Sequence, residues 1–333
     1  MSNIKEIEKA FIEQLDEWHR YFEPYDTELD IALHKSYYQV LKNGKKHIDW
    51  NSVRFSPSGA TKDARELYSK LKKLKPDEVK LNPHQRRYMS QGTALGDWLQ
   101  REILLCERHY EKFTGKKPRF TFARTKEGYP AFEDFVFSQK EVKFNGQSFN
   151  LIGTCDGIMI DNKTGEKVLL EVKSKQNTPS KTSLSAMKEP QEAHVKQVAC
   201  YGEMYGVDKA LIVYINGAKV EWFADDEKIK RTPDIRVFGV DITDDLKEEV
   251  FEHFAIVTES FHKDKPLLPD LKEWLFNNYK QAISESLSDD DVKKLEESYG
   301  YLADLGMLKP YEERSVEFAL LDIKQRRASL WTI

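Results

Sequence analysis

The sequence predicts an α/β fold: a mixed central sheet flanked by helices, with helical additions at both ends. Three observations lead there. Apolar residues repeat at helical spacing over the first hundred or so positions, the period changes from 3.6 to 2 after Lys117-Pro118, and helical spacing returns for the last ninety or so. Strand-like segments in the middle are interrupted by one clear helix, the order expected when a sheet mixes hairpins with a crossover.

Residues 3–20 and 27–42 read as amphipathic helices. Phe55-Ser-Pro-Ser-Gly59 is a turn with a good N-cap, and Ala64, Leu67, Tyr68, Leu71 and Leu74 fall on one face of a helix over Thr61–Leu74. A longer helix is expected from about Ser90 to Phe113, with Leu95, Trp98, Leu99, Ile103 and Leu104 as its apolar face. Strands follow at 120–122, 133–137 and 141–144, and Asn145-Gly146 is a hairpin turn leading into 149–160. A second turn, Asp161-Asn-Lys-Thr-Gly165, leads into a strand at 167–173. The polar stretch 174–188 reads as a loop, 190–205 as a helix, and 210–215, 220–223 and 235–240 as strands. Helices fill the rest, with Ser288-Asp-Asp-Asp291 as a capped, dipole-matched start. This divides the chain into an N-terminal helical region (1–50), a core (51–240) and a C-terminal helical region (241–333). Trp274, Tyr279 and Tyr301 read as helix-packing anchors, with stacking on unpaired bases as the alternative.

Composition excludes several classes of function. With 333 residues, 40% hydrophobic and 32% charged, the chain has enough apolar material for a sizeable core under a strongly solvated surface. No apolar run approaches the roughly 18 residues of a membrane span, and the N-terminus lacks an apolar signal region, so the cytoplasm is the expected compartment. Three cysteines, Cys106, Cys155 and Cys200, cannot make a four-cysteine zinc site or iron–sulfur cluster, and they read as small buried hydrophobes. The histidines show no H-E-x-x-H spacing. The net charge of -4 argues against a polyanionic partner, yet thirteen lysines and arginines stand against five acidic residues between Leu41 and Tyr88. Such a run suits phosphate neutralisation, or equally a solvated helix face.

The residues that carry chemistry lie in the hairpin at 156–173. Pairing symmetrically about the Asp161–Glu166 turn sets Ile160 opposite Lys167 and Asp156 opposite Glu171. Alternation then puts Glu171 and Lys173 on one face and turns Val172 into the core. Two carboxylates and an ammonium on one patch suit a hard divalent ion, Mg2+ or Mn2+, that leaves positions open for water and phosphate, with a lysine beside it to orient the water. A Glu-x-Lys alternation alone equally describes a strand whose polar side faces water. Asp156, however, interrupts an apolar strand between Gly153 and Gly157, where an unpaired carboxylate would be costly. Gln197 and Tyr201, four apart on a helix, share a face and reach the same site.

Gly153-x-x-Asp156, Glu171-Val-Lys173 and Gln197-x-x-x-Tyr201 together resemble the PD-(D/E)XK nuclease superfamily. The last element is similar to the Q-x-x-x-Y branch, which includes RecB-like and lambda-exonuclease-like enzymes of phage recombination. Phe55-Ser-Pro-Ser58 and Arg65-Glu-Leu-Tyr68 resemble the helix that opens RecB-like domains, so the likeness covers about residues 52–240. It implies a restriction-endonuclease-like core and a Mg2+-dependent deoxyribonuclease, most simply an exonuclease on duplex DNA with free ends. It also implies a strand-annealing partner protein and a homo-oligomer among its relatives. Carried over residue by residue, Asp156 and Glu171 are metal ligands with the Val172 carbonyl, Lys173 is the catalytic lysine, and Gln197 and Tyr201 position the lysine or the strand. The helix around Gly92–Glu102 resembles the first motif, but Gly96 stands where a histidine ligand is expected. Asp97, Gln100 and Glu102 are the candidates to replace it: helical geometry, which puts Gly92, Gly96 and Gln100 on one face, favours Gln100, while Glu102 is carried as a metal candidate. Lys62, Arg65, Arg86, Arg87 and Lys175, with Gln100, are the expected nucleic-acid contacts. A structure- or sequence-specific endonuclease on the same core and a catalytically silent DNA-binding module are the competing readings. No iron–sulfur cluster is expected.

Overall fold

A computed structural model describes residues 3–45 and 48–328. In chain order its elements are α1 (Ile4–Trp18), α2 (Thr27–Asn43), β1 (Arg54–Phe55), α3 (Ala64–Leu71), α4 (Pro83–Thr114), β2 (Phe120–Phe122), β3 (Ser138–Phe144), β4 (Gln147–Gly153), β5 (Gly157–Asp161), β6 (Glu166–Lys175), α5 (Glu192–Tyr205), β7 (Lys209–Asn216), α6 (Asp226–Arg231), β8 (Ile235–Asp241), α7 (Asp244–His262), α8 (Lys280–Ser286), α9 (Asp289–Asp304) and α10 (Pro310–Ala328). The fold is mixed α/β, as expected. It forms two compact units: one of Met1–Trp50, Leu81–Lys140 and Leu151–Glu248, the other of Asn51–Lys80, Glu141–Asn150 and Glu249–Ile333.

The first unit is built on a five-stranded sheet in the order β2-β5-β6-β7-β8, antiparallel except for the parallel pair β6–β7, which α5 connects. Alternation along β6 and β7 decides what each face holds. Val168, Leu170 and Val172 join Leu211, Val213 and Ile215 in a core shared with Ile7, Phe11 and Leu15 of α1 and Leu99, Ile103 and Leu105 of α4. The intervening residues, Glu171 and Lys173 with their register partners Ile212 and Tyr214, therefore occupy the opposite face, that of α5. The turn at Asp161–Gly165 sets the pairing inferred from sequence, Ile160 opposite Lys167. Arg119 closes the base of that hairpin with a forked contact to the fully buried Asp161, at 2.9 and 2.7 Å.

Three expected strands come out differently. Residues 133–136 form a 3-10 turn whose first residue, Glu133, has φ of 45°. The stretch 149–160 is two strands in two sheets: β4 belongs to a three-stranded sheet, β1-β4-β3, and β5 to the larger one. Residues 220–223 are a loop and turn rather than a strand, with Trp222 and Phe223 exposed. The helix expected from Ser90 starts earlier, at Pro83. Asn82 and Gln85 form a capping box there and Pro83 fits the first turn, whose N–H groups need no helical partner. The Asn145-Gly146 turn is as read, both residues having positive φ, 46° and 74°, between β3 and β4.

In the second unit Asp63 caps α3 and also accepts from the Asp270 N–H at 3.2 Å and the Asn277 amide at 3.0 Å. Phe55 stacks on Phe254 with centroids 4.3 Å apart, and Phe149 meets Phe254 edge-on. The C-terminal helices close a separate core of Leu271, Trp274, Ile283, Val316, Ala319 and Ile323. Trp274 and Tyr279 are packing residues of that core, as expected, whereas Tyr301 is exposed. Ser288 and Asp291 make the capping box that starts α9. Among the described residues no helix is long and apolar enough to cross a membrane.

Candidate functional site

The β5–β6 ladder ends at Gly157 opposite Leu170. One residue earlier the chain bends, and the Asp156 side chain occupies the place the next strand residue would have taken: its Oδ2 accepts the Val172 N–H at 2.6 Å. Asp156 is thus not the strand residue expected opposite Glu171; it meets β6 through its side chain, at the Val172 N–H. Gly157 is required by packing rather than by a ligand, since a Cβ there would lie 2.6 Å from the Phe122 ring. In a strand the N–H and C=O of one residue leave on the same edge. The Val172 carbonyl therefore faces the same edge as the Asp156 carboxylate.

On the α5 face, Glu171 is almost fully buried and its Oε1 lies 2.6 Å from Lys173 Nζ. The same ammonium donates to Gln197 Oε1 at 2.9 Å, and Gln197 Nε2 donates to Tyr201 Oη at 3.4 Å. A chain of contacts therefore runs from strand to helix: Gln197 and Tyr201, one turn apart on α5, share a helix face over Glu171 and Lys173. Glu171 Oε2 is buried without a hydrogen-bond partner. Burial, then the charge of Asp156, push the Glu171 carboxyl up to about 8 against the pull of Lys173. Burial also raises Asp156, opposed by the Val172 N–H and by Lys173. A buried carboxylate that feels a second carboxylate and has one oxygen unsatisfied is costly unless a positive charge joins it.

The donor set fits a hard divalent cation. Two carboxylates and a main-chain carbonyl are oxygen ligands, too few to enclose an ion and so suited to one that keeps water or substrate oxygens. Among the described residues no three His, Cys, Asp or Glu side chains converge as a closed cage. The three cysteines are buried and unpaired.

The chain matches no protein-family model and no curated protein. Among solved structures it is similar to SSO0001 (14% identity, covering 77% of this chain and 95% of that one, TM-score 0.37). It is also similar to the alkaline exonuclease LHK-Exo of Laribacter hongkongensis (15%, 64% and 89%, TM-score 0.37) and to a phage-related exonuclease of Haemophilus somnus 129PT (12%, 64% and 95%, TM-score 0.37).

Six of the sequence-predicted residues therefore meet: Asp156, Glu171, Val172, Lys173, Gln197 and Tyr201. Gln100 joins them from α4 in a supporting place, its Nε2 donating both to the Asp156 carbonyl at 2.9 Å and to Glu133 Oε1 at 3.0 Å. Glu102 does not. Two residues further round α4, it turns to α1, where its Oε2 accepts from Trp18 Nε1 at 2.7 Å and lies 3.5 Å from His19 Nε2. Asp97 is exposed on α4, its carboxyl raised by partial burial.

The expected nucleic-acid contacts divide. Arg86 and Arg87 are exposed on the first turns of α4, and Lys175 ends β6 two residues beyond Lys173. Arg65 is a correction: it is buried in the second unit, bonded to the Leu267 carbonyl and Ser286 Oγ, and so has a structural place. Lys62 lies in the same unit, 3.6 Å from Glu66. The basic run 41–88 is shared between the two units, and several of its lysines are paired: Lys45 with Asp134, Lys72 with Asp264 and Lys75 with Glu78. Lys46 of that run lies outside the described residues.

Glu133 was not singled out in the sequence. It reaches the site from the 3-10 turn, and burial, then the neighbouring charges of Asp97 and Asp156, raise its carboxyl against the Gln100 hydrogen bond. Its only signal was an acidic pair, Glu133-Asp134, inside an otherwise aromatic segment.

Proposed function

We propose that the chain is a metal-dependent deoxyribonuclease hydrolysing phosphodiester bonds, working as an exonuclease in phage-type recombination, repair or replication. The observation that carries this reading is the buried Glu171, its Oε2 unpartnered and its Oε1 2.6 Å from the Lys173 ammonium, with the half-buried Asp156 beside it. Asp156, Glu171 and the Val172 carbonyl would hold Mg2+ or Mn2+, which when bound supplies a polarised phosphoryl group and a nucleophilic water at neutral pH. Lys173, fixed between Glu171 and Gln197, orients that water and offsets charge developing on the phosphate. Gln100 holds the bent backbone at Asp156. A second reading, a silent DNA-binding module, draws on one feature: α4 brings an amide, Gln100, and not a third carboxylate to Asp156.

The test is a time course of wild type and Asp156→Asn on end-labelled linear and closed circular duplex DNA with Mg2+, Mn2+ or EDTA. Mononucleotide release from the linear DNA alone, absent in EDTA and in the variant, is the expected result. Cutting of the closed circle would replace the exonuclease by an endonuclease. DNA binding with no metal-dependent cleavage would leave the silent module.

A further inference from the structure

One half-buried titratable group beside the site is so far unused. His194 stands one turn before Gln197 on the face of α5 that meets Lys173. Its Nδ1 lies 2.8 Å from Tyr214 Oη, and the same Oη accepts the Gln191 N–H at 2.9 Å. Tyr214 is fully buried directly opposite Lys173 in the β6–β7 register. Its one hydroxyl proton needs an acceptor, and Nδ1 is in place to be it. Burial, then the charges of Lys173 and Lys175, lower the His194 imidazole to about 4, so the ring is neutral and carries its proton on Nε2. Next to it Lys175 Nζ sits over the Tyr214 ring, 5.4 Å from its centroid, and 3.4 Å from Gln191 Oε1. Burial, then the charges of Lys181 and Lys173, hold the Lys175 ammonium below the usual lysine range. A neutral N–H donor on α5 and an ammonium at the end of β6, both in contact with Tyr214 and the latter two residues past the candidate catalytic lysine, are donor types that bind an oxyanion.

Resting on the nuclease reading above, we propose that His194 Nε2–H and the Lys175 ammonium bind one phosphate of the DNA strand adjoining the phosphodiester that is cut. The two contributions differ in kind. Lys175 neutralises a charge and releases a counterion, whereas His194 gives a hydrogen bond without charge.

That difference makes the test specific. Binding of full-length protein to an end-labelled duplex oligonucleotide is followed by fluorescence anisotropy in EDTA across a salt series, with thermal unfolding of each variant alongside. His194→Asn keeps an acceptor near Nδ1 for Tyr214 but loses the Nε2 donor, and His194→Gln returns a donor near Nε2. Lys175→Gln should weaken binding about tenfold and lower the salt slope by roughly one. His194→Asn should weaken it about tenfold with the slope unchanged, and His194→Gln should recover much of the loss. Wild-type affinity in His194→Asn, or a loss in step with a lower melting temperature that His194→Gln does not restore, would overturn the assignment. Because wild type is assayed in parallel for DNA binding and Mg2+-dependent cleavage, a failure of the nuclease reading itself shows there and not in the variants.

Discussion

Glu171 and Lys173 touch at 2.6 Å on one face of β6, yet only one of the two glutamate oxygens is satisfied. The metal-free fold therefore carries the cost of one buried, unsatisfied carboxylate oxygen. The Glu171 carboxyl is raised from its ordinary 4.5 to about 8 by burial and by Asp156. An acid raised in the folded state binds more protons folded than unfolded between those values, so stability falls as pH rises from about 4.5 to about 8. In EDTA, Glu171→Gln should be more stable than wild type by about 1–4 kcal/mol near pH 8, with the gain vanishing below about pH 4.5. Urea unfolding of both proteins across that range checks it, and a variant less stable than wild type at high pH would refute it.

Gln197 bridges Lys173 and Tyr201 at 2.9 and 3.4 Å and is itself buried. Removing it leaves the ammonium held by Glu171 but no longer tied to α5. Gln197→Ala should lower kcat by about 10–100-fold while leaving KM for DNA within about threefold, the pattern of a group that orients another. Tyr201→Phe, which loses only the longer contact, should have the smaller effect. Steady-state cleavage kinetics of the two variants separate these outcomes.

The site was legible where local geometry decides it. A turn of fixed length sets the β5–β6 register, so Ile160 pairs with Lys167 and Glu171 follows onto the face of Lys173. Four-residue spacing likewise brought Gln197 and Tyr201 together. What sequence spacing could not reveal depends on partners far along the chain. Glu102 lies on the right helix, but Trp18, 84 residues away, claims its carboxylate. Glu133 reads as part of an alternating strand, and its left-handed φ of 45° arises only where its N–H meets the Cys155 carbonyl and its own carbonyl meets Thr154 Oγ1. Arg65 looked like a phosphate contact because it falls in the basic run 41–88, while its guanidinium is buried against residues more than 200 positions later.

Asp26 ties α2 to α4. Its carboxylate caps α2 through the Leu29 N–H at 2.9 Å and meets Arg108 and His109 at 2.5 and 2.7 Å. Burial works upward on this acid, but the bonds from Leu29, His109 and Arg108 outweigh it and hold the group at about 2. A carboxylate lowered in the folded state contributes stability that is complete above its ordinary 3.8 and is lost as pH falls through about 2. Asp26→Asn keeps a capping oxygen and removes the charge, so it should cost about 1–2 kcal/mol near pH 7 and nothing near pH 2. Chemical unfolding at the two pH values measures the difference, and an equal loss at both would assign Asp26 a packing role only.

Gly92 and Gly96 share a face of α4, but their surroundings differ. A Cβ on Gly92 would lie 2.9 Å from Ser174 Oγ on β6, whereas a Cβ on Gly96 would meet nothing within 4 Å. Neither has the positive φ that would demand glycine. In a helix interior alanine is better than glycine by about 0.5–1 kcal/mol, because the unfolded chain has less freedom to lose. Gly96→Ala should therefore raise stability by about that amount. Gly92→Ala should gain less or lose, because Ser174, which also accepts from Gln176 Nε2 at 3.2 Å, must give way at the end of the strand that carries Lys173. Melting temperatures of the two variants decide it: equal gains would mean that α4 stands further from β6 than the contact at Gly92 requires.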